Sequence, residues 1–446
     1  MMLPILLLCT AAATPSTWWD TYGDPVLSKL VQRASHQNLD VKKALARVAE
    51  SRAVSRQARS ALAPSLDLDA AGRQLRGGFQ NGIIRIPQSG AAGVPGLITP
   101  FETGLITSSL DMRWEVSFWG PNSKLLNAAR SDALAQEESA NEVRLIVAAE
   151  VARVYFELRG AEQQLELLQR NRARQSELLE LTRQRARAGV SPHLDVNRQS
   201  SALAALDAEI PRFDSRRRLQ FNRLAVLLAD RGVVKESLPA PPEPWTLPPL
   251  GDGIDSALLL RRPDVRAAQA RILAAAARQK TARSERYPRV LLTGLAGRQA
   301  TSLTGLSRGG GNFFGFGPQL VLPIFTGGRL RANMEASEAR LDQARMEYEQ
   351  EILAAFQEAE DAIAAYRAEQ ARLAKLREAS TSARSALTLS EDLYRAGLAD
   401  FLGVLDAQRT VLELDQEISK ARTSALVQSV LLFKALTGGW PSGPDR

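Results

Sequence analysis

The chain has 446 residues, enough for two or three domains, and its 45% apolar content suits an ordered protein. The net charge of +8 comes from 57 basic residues interspersed with 49 acidic ones, which argues against the basic block used in nucleic-acid binding. One Cys and two His, with no P-loop, dinucleotide fingerprint, HExxH or GxSxG context, supply no disulfide framework, metal cage or catalytic cluster, so no enzyme, cofactor or metal is expected.

The chain opens on MMLPILLLCTAAATPS. Residues 3–13 are apolar but too short to span a bilayer as a helix. They resemble the h-region of a secretory signal, with Ala11 to Ala13 as a small-residue cleavage zone, although no Lys or Arg precedes them. No later apolar stretch is long enough for a transmembrane helix.

Residues 38–72 predict a helix, a break at Pro64 and a short alternating strand. Leu66, Leu68 and Ala70 alternate there with Asp67 and Asp69. The next strand signal is LDMRWEVSFW, in which Leu110, Met112, Trp114, Val116 and Phe118 alternate with Asp111, Arg113, Glu115 and Ser117. A very long helix follows, since 121–188 contains no proline after its first residue and only Gly160 as glycine. Its apolar spacing, at Val147, Val151, Val154, Leu158, Ala161, Leu165 and Leu168, is that of a narrow coiled-coil seam. Gly189 suits a left-handed C-terminal cap, and Ser191 and Pro192 suit the N-cap and first position of a returning helix that runs to about Leu228. Each long helix with its return makes an antiparallel hairpin with an exposed tip.

A proline-rich linker at 236–253 separates this from a second copy of the same plan. Asp40 and Pro64 recur 224 positions later as Asp264 and Pro288, Asn127 recurs as Asn333, and Gly189, Leu194 and Val196 recur 208 positions later as Gly397, Leu402 and Val404. Weak strand signals lie at 290–297 and stronger ones at Phe314, Phe316, Leu320, Leu322 and Ile324. Residues 329–396 hold neither Gly nor Pro, and their seam reads Ile352, Phe356, Ala359, Ile363, Tyr366, Gln370 and Leu373. Asp400 is a candidate N-cap for the last helix, which runs to about Ala435. The expected division is a 1–17 leader, repeats at 18–230 and 254–440, a linker at 231–253 and a 441–446 tail.

Strands with one apolar and one polar or small face fit a membrane barrel, which must close because lipid satisfies no backbone group. Bacterial barrels begin at about eight strands, and one chain offers only four segments. Two copies give eight strands, whose lumen side chains fill. Three copies give twelve and leave an open lumen. A periplasmic coiled-coil adaptor or scaffold is the rival reading, but that architecture has one hairpin flanked by small β-domains.

LPIFTGGRLRAN (322–333), RRPDVRAAQA (261–270), YRAGLADFLGVLDAQR (394–409) and FKALTGGW (433–440) resemble the signatures of the TolC/OprM-like outer-membrane efflux proteins. WWDTYGDPVLSKLVQRASHQNLDVKKALARV (18–48) resembles the N-terminal helix of the lipoprotein-type branch. The resemblance implies an α+β membrane protein: a homotrimer with a twelve-stranded outer-membrane barrel, continued by a long periplasmic α-helical barrel. It implies a passive exit duct for drugs and other small molecules, with an inner-membrane pump and a periplasmic adaptor as partners. The pore constriction falls on Leu402, Asp406 and Arg409, and the adaptor-docking tips on Gly189, Val190, Ser191, Gly397, Leu398 and Ala399. Some members carry a second acid where this chain has Gly403. The branch's lipidated cysteine corresponds to Cys9, but Leu8 replaces the usual small residue before it and only Thr10 to Thr17 separate it from Trp18. Lipidation, an h-region cysteine and a misassigned start stay open.

Overall fold

The computed structural model describes residues 18–77, 101–116, 118–189, 192–232, 238–239, 245, 247, 259–308, 311–396, 398–399 and 401–436. The leader with Cys9, the tail, Val190, Ser191, Gly397, Asp400 and most of the linker lie outside them.

A 3-10 turn at Trp18–Tyr22 leads into α1 (Pro25–Gln37) and α2 (Leu39–Ser60). Strands β1 (Ser65–Gly77) and β2 (Phe101–Val116) precede α3 (Pro121–Arg187) and α4 (His193–Leu227). The second repeat gives α5 (Pro263–Ser284), β3 (Arg289–Ala300), the short α6 (Leu303–Ser307), β4 (Asn312–Val321), α7 (Arg329–Arg395) and α8 (Phe401–Leu436). Both long helices have 67 residues, about 100 Å at the α-helical rise. The expected start of α4 shifts by one residue: Pro192 is its N-cap, extended at ψ 149°, and His193 is the first helical residue. Proline's missing N–H costs nothing there, because the first helical amides have no intrahelical acceptor.

The chain divides into two compact units, and both repeats contribute to each. One unit, 50–133 with 271–344, holds the sheet. Its four strands are antiparallel in the order β1-β2-β3-β4, so among the described residues β1 and β4 each pair on one side only. The strands are 10 to 16 residues long, against about ten expected, because β2 pairs with β1 as far back as Phe101, through a stretch without apolar alternation. The register aligns the apolar positions: Leu66 faces Met112, Leu68 faces Leu110, Trp114 faces Leu292, Val116 faces Val290, and Val290 faces Leu320. Gly294 and Ala296 oppose Phe316 and Phe314 on that face, and Phe314 is 91% exposed. The other face carries Asp67 directly opposite Asp111, with Asp69, Thr107, Ser109, Arg113 and Glu115. Two carboxylates so placed repel unless water screens them. The weak 290–297 pattern is thereby explained. Val290 and Leu292 belong to the apolar face, Leu291 and Leu295 to the polar one.

The other unit, 1–49 with 134–270 and 345–446, is helical. Among the described residues no helix is long and apolar enough to cross a membrane. The α3 seam is buried at Val147, Val151, Val154, Leu158, Ala161 and Leu168. In α7 the seam is buried at Ala359, Ile363, Tyr366 and Leu373, but Phe356 is half exposed and Ala355 is buried in its place. Trp18, Trp19 and Tyr22 pack with Phe156, Val430 and Trp245 in one core. Trp18 stacks on Phe433, and Tyr22 and Ser429 hydroxyls bond at 2.6 Å. Asp24, buried at the N-cap of α1, accepts from the amides of Val26 and Leu27, from the Tyr155 hydroxyl at 2.5 Å and from the Trp245 indole at 3.2 Å. Burial and that carboxylate both push the Tyr155 phenol above its ordinary range.

Two of the quoted motifs meet in this unit. Arg262 of RRPDV is buried, donates to the Ala435 carbonyl of FKALTGGW at 3.1 Å, and bonds Asp264 at 2.7 Å and Glu358 at 2.6 Å. It caps the carbonyl end of α8, where a cation is favoured. Lys434 holds the other Glu358 oxygen at 2.7 Å. Burial would raise the Glu358 carboxyl, but its bonds to Lys434 and Arg262 prevail and hold it below the usual carboxylate range.

Candidate functional site

The hairpin tips and the start of α8 hold the residues predicted to matter. Gly189 follows α3 in the left-handed region at φ +75°, as its capping role requires, and its amide donates to the Ala186 carbonyl at 3.0 Å. At the end of α7 the Leu398 amide donates to the Leu393 carbonyl at 2.9 Å, the six-to-one bond of a Schellman turn. Gly189, Leu398 and Ala399 are exposed, and Leu398 is 77% so.

The first turns of α8 separate inward from outward residues. Val404 is buried against the chain's own helices, whereas Leu402, Asp406 and Arg409 are all exposed. Positions 402, 406 and 409 share one helical face. Arg409 donates to Glu413, one turn on, at 2.8 Å, and that carboxylate holds the guanidinium above its ordinary range. The face therefore presents a leucine and an acid, with its arginine tied along the helix. Val404 and Asp406 thus turn to opposite sides, the first buried and the second exposed.

The tip of α7 is also tied to α3. The Arg185 guanidinium donates to the Tyr394 hydroxyl at 2.7 Å and lies 5.0 Å from its ring centroid. Farther from the tip, α3, α7 and α8 leave a cleft of about 570 Å³ lined by Gln175, Leu178, Arg384, Leu387, Val411 and Asp415. Arg384 bridges α7 to Asp415 of α8 at 2.7 Å on its wall. No nucleophile and base converge there. The Arg185–Tyr394 tie was not predicted from sequence. Tyr394 stands in the quoted YRAG motif, but nothing local indicates a partner 209 positions away. Gln199, fully buried against Gln175, was likewise missed.

Helices of 67 residues and an antiparallel sheet with one apolar and one polar face, whose edge strands pair on one side only among the described residues, define an α+β fold. The chain belongs to the outer membrane efflux protein family, whose model matches residues 30–230 and 255–438. It is similar to the outer membrane protein OprJ of Pseudomonas aeruginosa, with 32% identity over 97% of this chain and 88% of that protein. It is also similar to the solvent efflux pump outer membrane protein SrpC of Pseudomonas putida, with 30% identity over 94% of this chain and 86% of that one. Among solved structures it resembles the outer membrane protein VceC of Vibrio cholerae, with a TM-score of 0.82 and 27% identity, covering 95% of this chain and 99% of that chain. The chain is accordingly an outer-membrane efflux channel, a member of a transporter family.

Proposed function

We propose that three copies of this chain close into one passive exit duct, through which an inner-membrane pump and a periplasmic adaptor expel drugs or other small molecules. The observation that carries this reading is the four-stranded sheet with an apolar face, whose β1 and β4 edges are unpaired among the described residues. In lipid such edges leave backbone groups unsatisfied, and pairing β4 of one copy with β1 of the next removes them. Three copies make a twelve-stranded barrel, with the wet face of Asp67 and Asp111 lining the lumen. The paired helices α3, α4, α7 and α8 of each copy continue it as a periplasmic tube, and half-exposed Phe356 suits a seam between copies. The repeats 18–230 and 254–440, bridged by the 231–253 linker, each supply two strands to that barrel and one helical hairpin to that tube.

Leu402, Asp406 and Arg409 form the constriction in this reading, with one Asp406 per copy around the axis. Close carboxylates attract cations and slow anions. Gly403 leaves a single acidic ring. The adaptor docks at Gly189, Val190, Ser191, Gly397, Leu398 and Ala399, and a lipid on Cys9 is the proposed anchor. No partner beyond copies of itself, the adaptor, the pump and lipid is required.

The test is single-channel recording of purified protein in a planar bilayer. Electrically silent membranes, or a particle without an axial opening, would refute the duct. Asp406→Ala is expected to raise conductance and relieve block by divalent cations. Unchanged current and unchanged cation sensitivity would remove Asp406 from the constriction. Leu398→Glu is expected to abolish drug resistance in cells while trimers persist in the outer membrane. Full resistance in that variant would place adaptor docking elsewhere.

A further inference from the structure

The strand register sorts the apolar face of the sheet into rows, each with one residue per strand. The apolar rows run from Val116, Val290 and Leu320, at the end joined to the helices, up to Leu110, Ala296 and Phe314. The next row breaks the pattern: Ala70 stands opposite Ser108, Ser108 opposite Arg298, and Arg298 opposite Asn312. Side chains alternate between faces, so Arg298 shares the face of Val290, Leu292 and Ala296. At about 3.4 Å per residue it stands about 27 Å along β3 from Val290, or roughly 20 Å up a strand tilted as barrel strands are. That height approaches the edge of the apolar band, about 25 Å tall, that such barrels carry.

The guanidinium in this row has nothing to neutralise it. Arg298 and Asn312 are exposed, and among the described residues neither side chain makes a hydrogen bond or an ion pair. The rows on either side bring no acid, because one is apolar and the other sets Gly72 against Ile106 and Ile106 against Ala300. Asp69 and Asp111 belong to the opposite face. The short α6 lies against the apolar side just past Arg298: a Cβ built on Gly305 would come within 3.2 Å of the Ala300 Cβ. Its Leu303 is 74% exposed. A lipid-facing arginine is costly at the middle of a bilayer and close to neutral at its surface. An unpaired one directly above apolar rows therefore suits an anion at headgroup level. Guanidinium binds phosphate through paired N–H donors, and the Asn312 amide and Ser108 hydroxyl, cross-strand neighbours, can add to them.

We propose that Arg298, with Asn312 and Ser108 beside it, seats a phosphate of lipid A, the phosphorylated glycolipid of the outer leaflet, whose acyl chains follow the apolar rows below. The proposal rests on the barrel reading above. There the helices extend into the periplasm from the other end of the strands, so this row meets the outer leaflet.

The test uses the full chain in nanodiscs of phosphatidylcholine containing either diphosphoryl lipid A or phosphatidylglycerol, with native mass spectrometry of the lipid each assembly retains. The wild type is expected to retain lipid A in preference to both phospholipids. Arg298→Gln is expected to reduce that preference roughly five-fold. Arg289→Gln, on the same strand but the polar face, is expected to leave it unchanged. Three outcomes overturn the seat and leave the duct intact: phosphatidylglycerol retained as well as lipid A, an unaltered preference in Arg298→Gln, or an equal loss in Arg289→Gln. Protein that never enters the nanodiscs overturns the barrel reading itself.

Discussion

Asp24→Ala is expected to cost about 3–5 kcal/mol, a large loss for a single side chain. Asp24 is 1% exposed, and four donors from three segments converge on it: two amides of α1, the Tyr155 hydroxyl of α3 and the Trp245 indole of the linker. Alanine leaves all four without an acceptor, each costing about 1–3 kcal/mol when buried, though less than additively because the 3-10 turn can shift. Tyr155→Phe removes one donor and leaves the carboxylate three, so about 1 kcal/mol is expected of it. Urea unfolding of both variants, followed by helical circular dichroism, separates them. An Asp24→Ala variant no less stable than Tyr155→Phe would show that the carboxylate does not organise the N-terminal segment. The prediction reaches function as well, because Trp18, Trp19 and Tyr22 depend on this buckle to pack against Phe156 and Phe433.

Gly160→Val is expected to destabilise the helical unit by about 1–3 kcal/mol and to impair assembly. Gly160 is the one glycine of α3, and a Cβ built on it would meet the Thr423 hydroxyl, with the Thr423 Cγ2 at 2.7 Å and Cβ at 3.0 Å. The α3 backbone at Gly160 packs directly on the Thr423 side chain of α8 and leaves no room for a Cβ. Glycine's entropic penalty of about 1 kcal/mol in a helix is the cost of that approach. Thr423→Ala removes the two nearest atoms, so the double variant should recover about 1–2 kcal/mol relative to additivity. A double-mutant cycle by thermal unfolding measures this coupling, and additive losses would mean that α3 and α8 do not meet at this point.

Much of the architecture was legible because length and period are strong signals. The absence of Gly and Pro from 329–396 gave α7 to within a residue, and two-residue alternation located β2 and β4, although Phe118, Leu322 and Ile324 fall outside them. Legibility failed where distance in sequence carries the contact. Trp245 sits in a proline-rich stretch that reads as a spacer, yet it is a core residue. Arg262 and Ala435 belong to motifs recognisable by eye, but nothing in either predicts that one caps the other. Pro211 lies inside α4, yet the expected run to about Leu228 holds, with Ile210 and Phe213 packed against Leu168 and Leu206 on either side of it. At the candidate constriction, the shared face of Leu402, Asp406 and Arg409 followed from helical spacing alone. The engagement of Arg409 with Glu413 did not, since either an inward or an along-helix rotamer fits that spacing.

The two free edges of the sheet have a genetic corollary. In the proposed ring every joint is made from β4 of one subunit and β1 of its neighbour, a head-to-tail arrangement in which each subunit serves two joints. A lesion that spoils either edge strand therefore breaks rings that contain healthy subunits too. With equal expression of mutant and normal alleles and random mixing, only about one ring in eight escapes the defect. Edge-strand mutations should consequently be dominant in mixed cells, whereas a lesion that merely prevents the chain from folding should be recessive.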